Sequence, residues 1–376
     1  MRLMHTFLTL TVEKILYILY NIHSTFKLRG IEMFKKILAL LMCLVFVFAV
    51  GCGKEEKKPV SNNESSQSEP EVIEPVLYKN PLTGVEDIEN QEVTTRRPVA
   101  IMVNNLNIAQ KVQCGLDKAD IVYETEVEGG ITRLLAVYQD ITKSEKIGTV
   151  RSARYAYVDL AMGHNAIYVH HGQDGTYCAP HLNDTDNFIL GTKNGGARIK
   201  NGLATEHTLY AYGSSLWQNI VNRGKTTTTS SATWQSFADE ETKVSYESVA
   251  NTVSVPFSNS YKTVFKYDAA SGKYTRYFKD TLRTDYESGA TENFKNVFVL
   301  LTSITNYPDG YHRKIDLSSG DGYYCVNGTY IPIRWSKGSA SSSFVFTNVD
   351  GSPLTVNAGN SWVCIASKTK AVPSFQ

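Results

Sequence analysis

Apolar and polar positions follow two different rhythms along this chain, and the change between them divides it. Residues 98–105 (PVAIMVNN) form a short apolar run closed by two asparagines, the pattern of a buried strand. GLDKAD at 115–120 suits a short helical turn. From Tyr123 to Glu128 the pattern has period two, so a strand here sets Glu124, Glu126 and Glu128 on one face. Gly129-Gly130 interrupts it, and ITRLLAVYQD resumes as the next strand. Between Val150 and Met162 the apolar positions 150, 153, 157, 158, 160 and 161 recur with helical spacing. AIYVHHG (166–172) reads as a strand ending at glycine, and SSLWQNIVN (214–222) as a helix. This mixture over residues 76–230 predicts an α+β (or α/β) domain.

Past a polar stretch at 224–233 (GKTTTTSSAT) the rhythm changes. Short segments rich in aromatic and β-branched residues begin at Val253, Val264, Tyr274, Val297, Gly322, Tyr330, Phe344 and Trp362. Ser271-Gly272, Asn327-Gly328 and Asp350-Gly351 stand between them as turn signals. Residues 240–370 therefore read as a mostly-β domain, a sandwich or open barrel, with no internal repeat.

The first 75 residues follow neither rhythm. Residues 37–50 (ILALLMCLVFVFAV) are unbroken apolar sequence behind Lys35-Lys36, short for a bilayer span but suited to a signal peptide over 33–51. Ala49-Val50-Gly51-Cys52 resembles a lipobox, which makes Cys52 the expected lipidation site and the membrane, through that lipid, an expected partner. The expected location is the extracytoplasmic face of the cell membrane. Residues 1–32 read as an atypical or mis-called extension, since a well-formed signal would start at Met33. Residues 52–75 are rich in Ser, Glu and Pro and nearly free of apolar positions, as in a flexible tether.

Length and composition become informative only after that subtraction. The 376 residues carry a formal charge of +1. Six basic and two acidic groups fall in 1–51, and three lysines and six glutamates in 52–75, which leaves a neutral body. Neutrality argues against nucleic acid as a partner. Of six cysteines, Cys114, Cys178, Cys325 and Cys364 belong to the body. None has CxxC spacing, and no metal site or cofactor is expected. Cys325 and Cys364, in strand-like segments of one domain, form the expected bridge.

Standard signatures are absent or broken. Gly224-Lys225-Thr226 ends like a phosphate-binding loop, but Asn219 stands where its leading glycine belongs. One constellation remains. A helix starting near Gly148-Thr149 would place Arg151 and Arg154 at i, i+3, and Arg133 follows the glycine pair. Guanidinium forks beside a helix N-terminus suit a phosphate or carboxylate group. The competing reading pairs these arginines with Glu124, Glu126 and Glu128. Other readings stay open: His170, His171, His181, His207, Asp174 and Asp184 as metal ligands or structural groups, and Cys178 with His181 as a nucleophile pair or a buried thiol. GTKNGGARIKNG (191–202) is a surface loop or a lid over the arginines, and Trp335 and Trp362 belong to a carbohydrate platform or to the core.

Several long motifs are familiar together: NPLTG (80–84), RPVAIMVNN (97–105), GLDKADIVYETEVEGGITRLLAVY (115–138), IGTVRSARYAYVDLA (147–161), EHTLYAYG (206–213), FKYDAASGKYTRY (265–277), NGTYIPIRWSK (327–337) and DGSPLTVNAGNSW (350–362). Over residues 80–370 the chain resembles the YerB-type lipoproteins, a bacterial family defined by a domain of unknown function (DUF3048). The resemblance implies a lipoprotein with a two-domain body and no established activity, cofactor or partner. It places Glu124, Glu128, Arg133, Arg151, Arg154 and Asp159 within familial motifs.

The expected function is thus an envelope-associated binding or accessory protein. Arg133, Arg151 and Arg154 would hold an anionic group of a cell-wall fragment or envelope protein. The alternative is a cell-envelope hydrolase using Glu124, Glu128, Asp159, His170 or His207 as catalytic or orienting groups.

Overall fold

The structure is a computed structural model that describes residues 75–229, 234–239, 244–370 and 372–376. The expected extension, signal peptide, Cys52 and all but the last residue of the tether lie outside the described residues. All described residues belong to one unit.

Thirteen of the strands among the described residues carry the architecture. β1 (Val99–Asn104), β2 (Ile121–Glu126), β3 (Thr132–Tyr138), β4 (Ile167–His170) and β5 (Asn187–Ile189) come from the first half. From the second come β6 (Thr252–Pro256), β7 (Lys262–Asp268), β8 (Lys273–Phe278), β9 (Asn296–Thr302), β10 (Ser319–Val326), β11 (Thr329–Ser336), β12 (Val345–Asn348) and β13 (Ser361–Ser367). The central sheet runs β11-β10-β9-β13-β2-β3-β1-β4-β5, with β12 and Ser248–Val249 added at β11. The mixed first half and the mostly-β second half are as the pattern predicts. Both halves nevertheless share this sheet, because β13 lies parallel to β9 on one side and β2 on the other. That register puts Trp362 beside Val122 and Cys364 beside Glu124.

Burial follows the layers. β1, β2, β3 and β13 are buried at every position, as expected of strands covered on both faces. On one face lie the smaller sheet built on β6, β7 and β8 and the helix α2 (Gly213–Asn222), whose Leu216 and Ile220 pack with Val99, Ile101 and Leu134. On the other lies α1 (Tyr155–Met162) with Trp234, Phe298, Phe344 and Phe346. β8, at the outside, alternates buried and half-buried residues instead. Asn327 and Gly328 join β10 to β11 with φ of +51° and +73°, the two positive angles a tight hairpin turn requires.

Two expectations are corrected. α1 begins at Tyr155 rather than near Val150. Residues 147–153 are extended because tertiary partners take their backbone groups: Arg151 N–H donates to Met102 O, Ala153 N–H to Gly172 O, and Gly148 pairs with Tyr210. Cys325 and Cys364 are not bridged; all four cysteines are free and buried. β9 lies between them, with Val297 opposite Cys325 and Val299 opposite Cys364. Two strand spacings, roughly 10 Å, exceed the reach of a disulfide.

Candidate functional site

Parallel β1 and β4, and β2 on the far side of β3, end at the same edge of the central sheet. Such carboxyl edges are where open α/β sheets place ligands. Asn104, Glu126, Glu128 and His170 gather there, and Arg133 enters on β3, which runs the opposite way, directly across from Asn104. The extended segment 148–154 crosses over this edge and brings Arg151 and Arg154 to it.

The three predicted arginines are therefore neighbours, although not by the helical spacing expected. Arg154 is the residue that precedes α1, with extended backbone angles (φ −138°, ψ 151°). Its Nε lies 2.7 and 2.9 Å from the two oxygens of Glu128, and its Nη1 donates to Ala153 O at 2.8 Å. Arg133 is 6% exposed, and its Nη1 donates to the Ser152 carbonyl. The Tyr157 hydroxyl, 2.5 Å from the Arg133 carbonyl, fixes that end of β3 to α1. Arg151 donates through Nη1 to Glu206 O at 3.0 Å, and its Nε is buried without a partner. Burial and the positive charges of Arg154 and Arg151, against Glu128, lower the Arg133 guanidinium to about 10. Arg151 is lowered too, by burial first and then by Arg154, with Glu206 opposing.

The three glutamates do not act together. Glu124 is buried between the sheets and accepts from Asn105, Thr132, Thr263 and Trp362. Burial raises its carboxyl, with Arg276 opposing. Glu126 pairs with Arg313 at 2.5 Å, and Glu128 with Arg154. The competing reading thus describes Glu128 but neither Glu124 nor Glu126. Gly129 and Gly130, at φ +72° and +69°, form the turn that lets Glu128 fold back beyond the strand.

Of the histidines, His207 lies beside Arg151. His170 Nδ1 bonds Gly172 O at 2.8 Å, and its Nε2 is buried without a partner. His171 Nδ1 bonds Leu190 O, and Arg198 donates to its Nε2 at 3.0 Å. Asn104 donates to His207 Nδ1 at 2.8 Å. Burial lowers both His170 and His207, the latter helped by Arg151. Asp159 is elsewhere, 2.6 Å from His181 Nε2, while Asp184 holds Nδ1 at 2.9 Å. His181 is thereby engaged away from Cys178, whose thiol burial and Asp174 push up to about 12. Among the described residues no three of His, Cys, Asp and Glu are grouped to hold a metal ion.

Residues 191–202 are fixed in place: Gly196–Arg198 pairs with Leu209–Ala211, and Gly195 (φ +103°) sits where a Cβ would come within 2.6 Å of Leu216 Cα. Trp335 and Trp362 belong to the core.

Two groups of residues were not anticipated. The hairpin of Ile304–Asn306 and Arg313–Ile315 reaches from the second half to this edge. It sets Tyr307 on Tyr177 with ring centres 4.0 Å apart, His312 Nε2 at 3.2 Å from Asp174, and Arg313 on Glu126. These and Tyr155 line a narrow crevice beside Arg154. Pro308-Asp309-Gly310 between its strands was an available turn signal. Deeper, Arg276 and Glu292 form a buried pair at 2.6 Å, and the guanidinium lies over Trp362 at 4.4 Å. An arginine on an alternating strand looks solvent-facing, so nothing local marked it.

Comparison with known proteins agrees with this two-part organisation. The N-terminal domain of the family described as "Protein of unknown function (DUF3048)" matches residues 82–226, and its C-terminal domain matches 253–363. YerB from Bacillus subtilis (strain 168), provisionally named a lipoprotein, is 30% identical over 333 residues, 86% of this chain and 93% of that relative. The crystal structure of YerB from Bacillus subtilis superposes with a TM-score of 0.68 at 29% identity, covering 79% of this chain and 99% of that one. No helix among the described residues is long and apolar enough to cross a membrane. The chain belongs to the DUF3048 family of YerB-like proteins, a family of unknown function.

Proposed function

We propose that the protein is an extracytoplasmic lipoprotein, anchored through Cys52, that binds an anionic group of an envelope component at Arg133, Arg151 and Arg154. The observation that carries this reading is the gathering of three guanidiniums at the carboxyl edge of the sheet, two of them beside one buried carboxylate, Glu128. Guanidiniums held against one another are unfavourable unless an anion joins them. The name given to the YerB relative, and Cys52 behind an apolar segment, support the anchor. The hydrolase reading has less support, since Glu128 and Asp159 are each engaged by a basic side chain.

Two measurements test the proposal. Cell fractionation should find the wild-type chain in membranes, and Cys52→Ala should release it; equal distribution contradicts the anchor. Soluble wall fragments from an envelope digest should raise the melting temperature of the full chain. If no envelope fraction shifts it, the binding reading is wrong.

A further inference from the structure

The charges around the three arginines constrain the ligand further. Arg133 feels Arg154 and Arg151 as like charges and Glu128 as the carboxylate that opposes them. Glu128 is already engaged by Arg154. Glu206 acts on Arg151 from the exposed rim, where Arg198 also lies, donating to Thr205 O and to His171. His207, the ring beside Arg151, adds no negative charge. Three guanidiniums thus face one buried carboxylate, Glu128, and one exposed carboxylate, Glu206, whose charge solvent screens.

Donors are also in excess. Arg151 Nε is buried without a partner. Arg154 precedes α1 and gives its first turn no side-chain cap bond. A carboxylate brings one charge and two oxygens. A phosphomonoester brings about −1.5 to −2 charges and three strong acceptors.

Resting on the anion-binding reading above, we infer that the group held by Arg133, Arg151 and Arg154 is a dianionic phosphoryl group, and that Glu128 tunes its affinity by neutralising one guanidinium. A phosphorylated sugar and a phospholipid-derived headgroup share this chemistry.

The test is calorimetric titration of the detergent-solubilised full chain at pH 8 and constant ionic strength. The probes are inorganic phosphate, glucose 1-phosphate, glycerol 3-phosphate and acetate. Phosphate and at least one monoester should bind, and acetate should bind at least about tenfold more weakly. The tighter monoester identifies the sugar or the headgroup as the source. Arg151→Gln should weaken phosphate about tenfold or more. Glu128→Gln should tighten it several-fold, a direction that loss of local structure does not produce. Acetate binding as well as phosphate overturns the inference and leaves the anion-binding reading standing. Failure of all four probes removes both. Phosphate binding indifferent to Arg151→Gln, or weakened by Glu128→Gln, overturns the inference as well.

Discussion

Glu128 meets Arg154 through a single nitrogen: both carboxylate oxygens lie on Nε, at 2.7 and 2.9 Å, while Nη1 is turned to the Ala153 carbonyl. The pair is therefore not the fork-to-fork arrangement that would satisfy a carboxylate and a guanidinium completely. It pins Arg154 in place and offsets only part of the positive field at Arg133.

Loss of the Glu128 charge should consequently cost stability. Arg133 and Arg154 would face each other with no anion between them, and Glu128 is only 6% exposed. Glu128→Gln should destabilise by about 1–3 kcal/mol in urea titrations at low salt. Added sulfate should recover part of that loss. A variant as stable as wild type at low salt contradicts the electrostatic picture.

The buried pair Arg276–Glu292 makes a sharper prediction. Both residues are essentially without solvent contact, and Arg276 also donates to Asn105 Oδ1 at 3.1 Å. This ties the smaller sheet to the end of β1. Glu292→Leu alone leaves a buried guanidinium and should cost about 3–5 kcal/mol. The double substitution with Arg276→Met should cost clearly less than the sum of the two singles. Additive losses in a double-mutant cycle contradict a direct coupling.

Much of this fold was legible because the signals are local. Alternating aromatic and β-branched residues announced the strands of the second half, and Asn327-Gly328 announced the hairpin between β10 and β11. What the pattern could not show was pairing at a distance. Nothing in residues 361–367 says that they slot between β9 and β2, because buried parallel strands read as plain apolar runs. The same holds at the site. Arg133, Arg151 and Arg154 were visible as a set, yet their geometry depends on Met102 and Gly172 holding residues 151–153 extended where periodicity suggested a helix. Arg313 and His312 arrive from a distant hairpin and were not found.

Thiol chemistry checks the core. Cys114, Cys178, Cys325 and Cys364 are free and buried, and burial pushes the Cys114 and Cys178 thiols up to about 12. Thiolate, the reactive form, is thereby suppressed. The native chain should react slowly with a thiol reagent at pH 8. After unfolding without reductant, all four should be labelled promptly, as read by peptide mass. An unlabelled Cys325–Cys364 peptide pair contradicts the structure.

His164 predicts an acid-sensitive step. It is buried, lies 2.7 Å from the Tyr123 hydroxyl through Nε2, and burial, with Lys337 adding, depresses its ring from 6.5 to about 3. Between those values the unfolded chain binds the extra proton, so stability must fall as pH drops. The loss attributable to this ring is about 2 kcal/mol at pH 5 relative to pH 7.5. Urea titrations of His164→Gln should show a correspondingly flatter curve over that range. An identical slope in variant and wild type contradicts it.

The most direct test of the arginine site is crystallographic. Crystals of the protein soaked in selenate, a dianionic oxyanion with a strong anomalous signal, should show a peak within hydrogen-bonding distance of Arg133 and Arg151, absent from crystals of Arg151→Gln. No peak at these guanidiniums, with selenate bound elsewhere on the same molecule, would contradict the account.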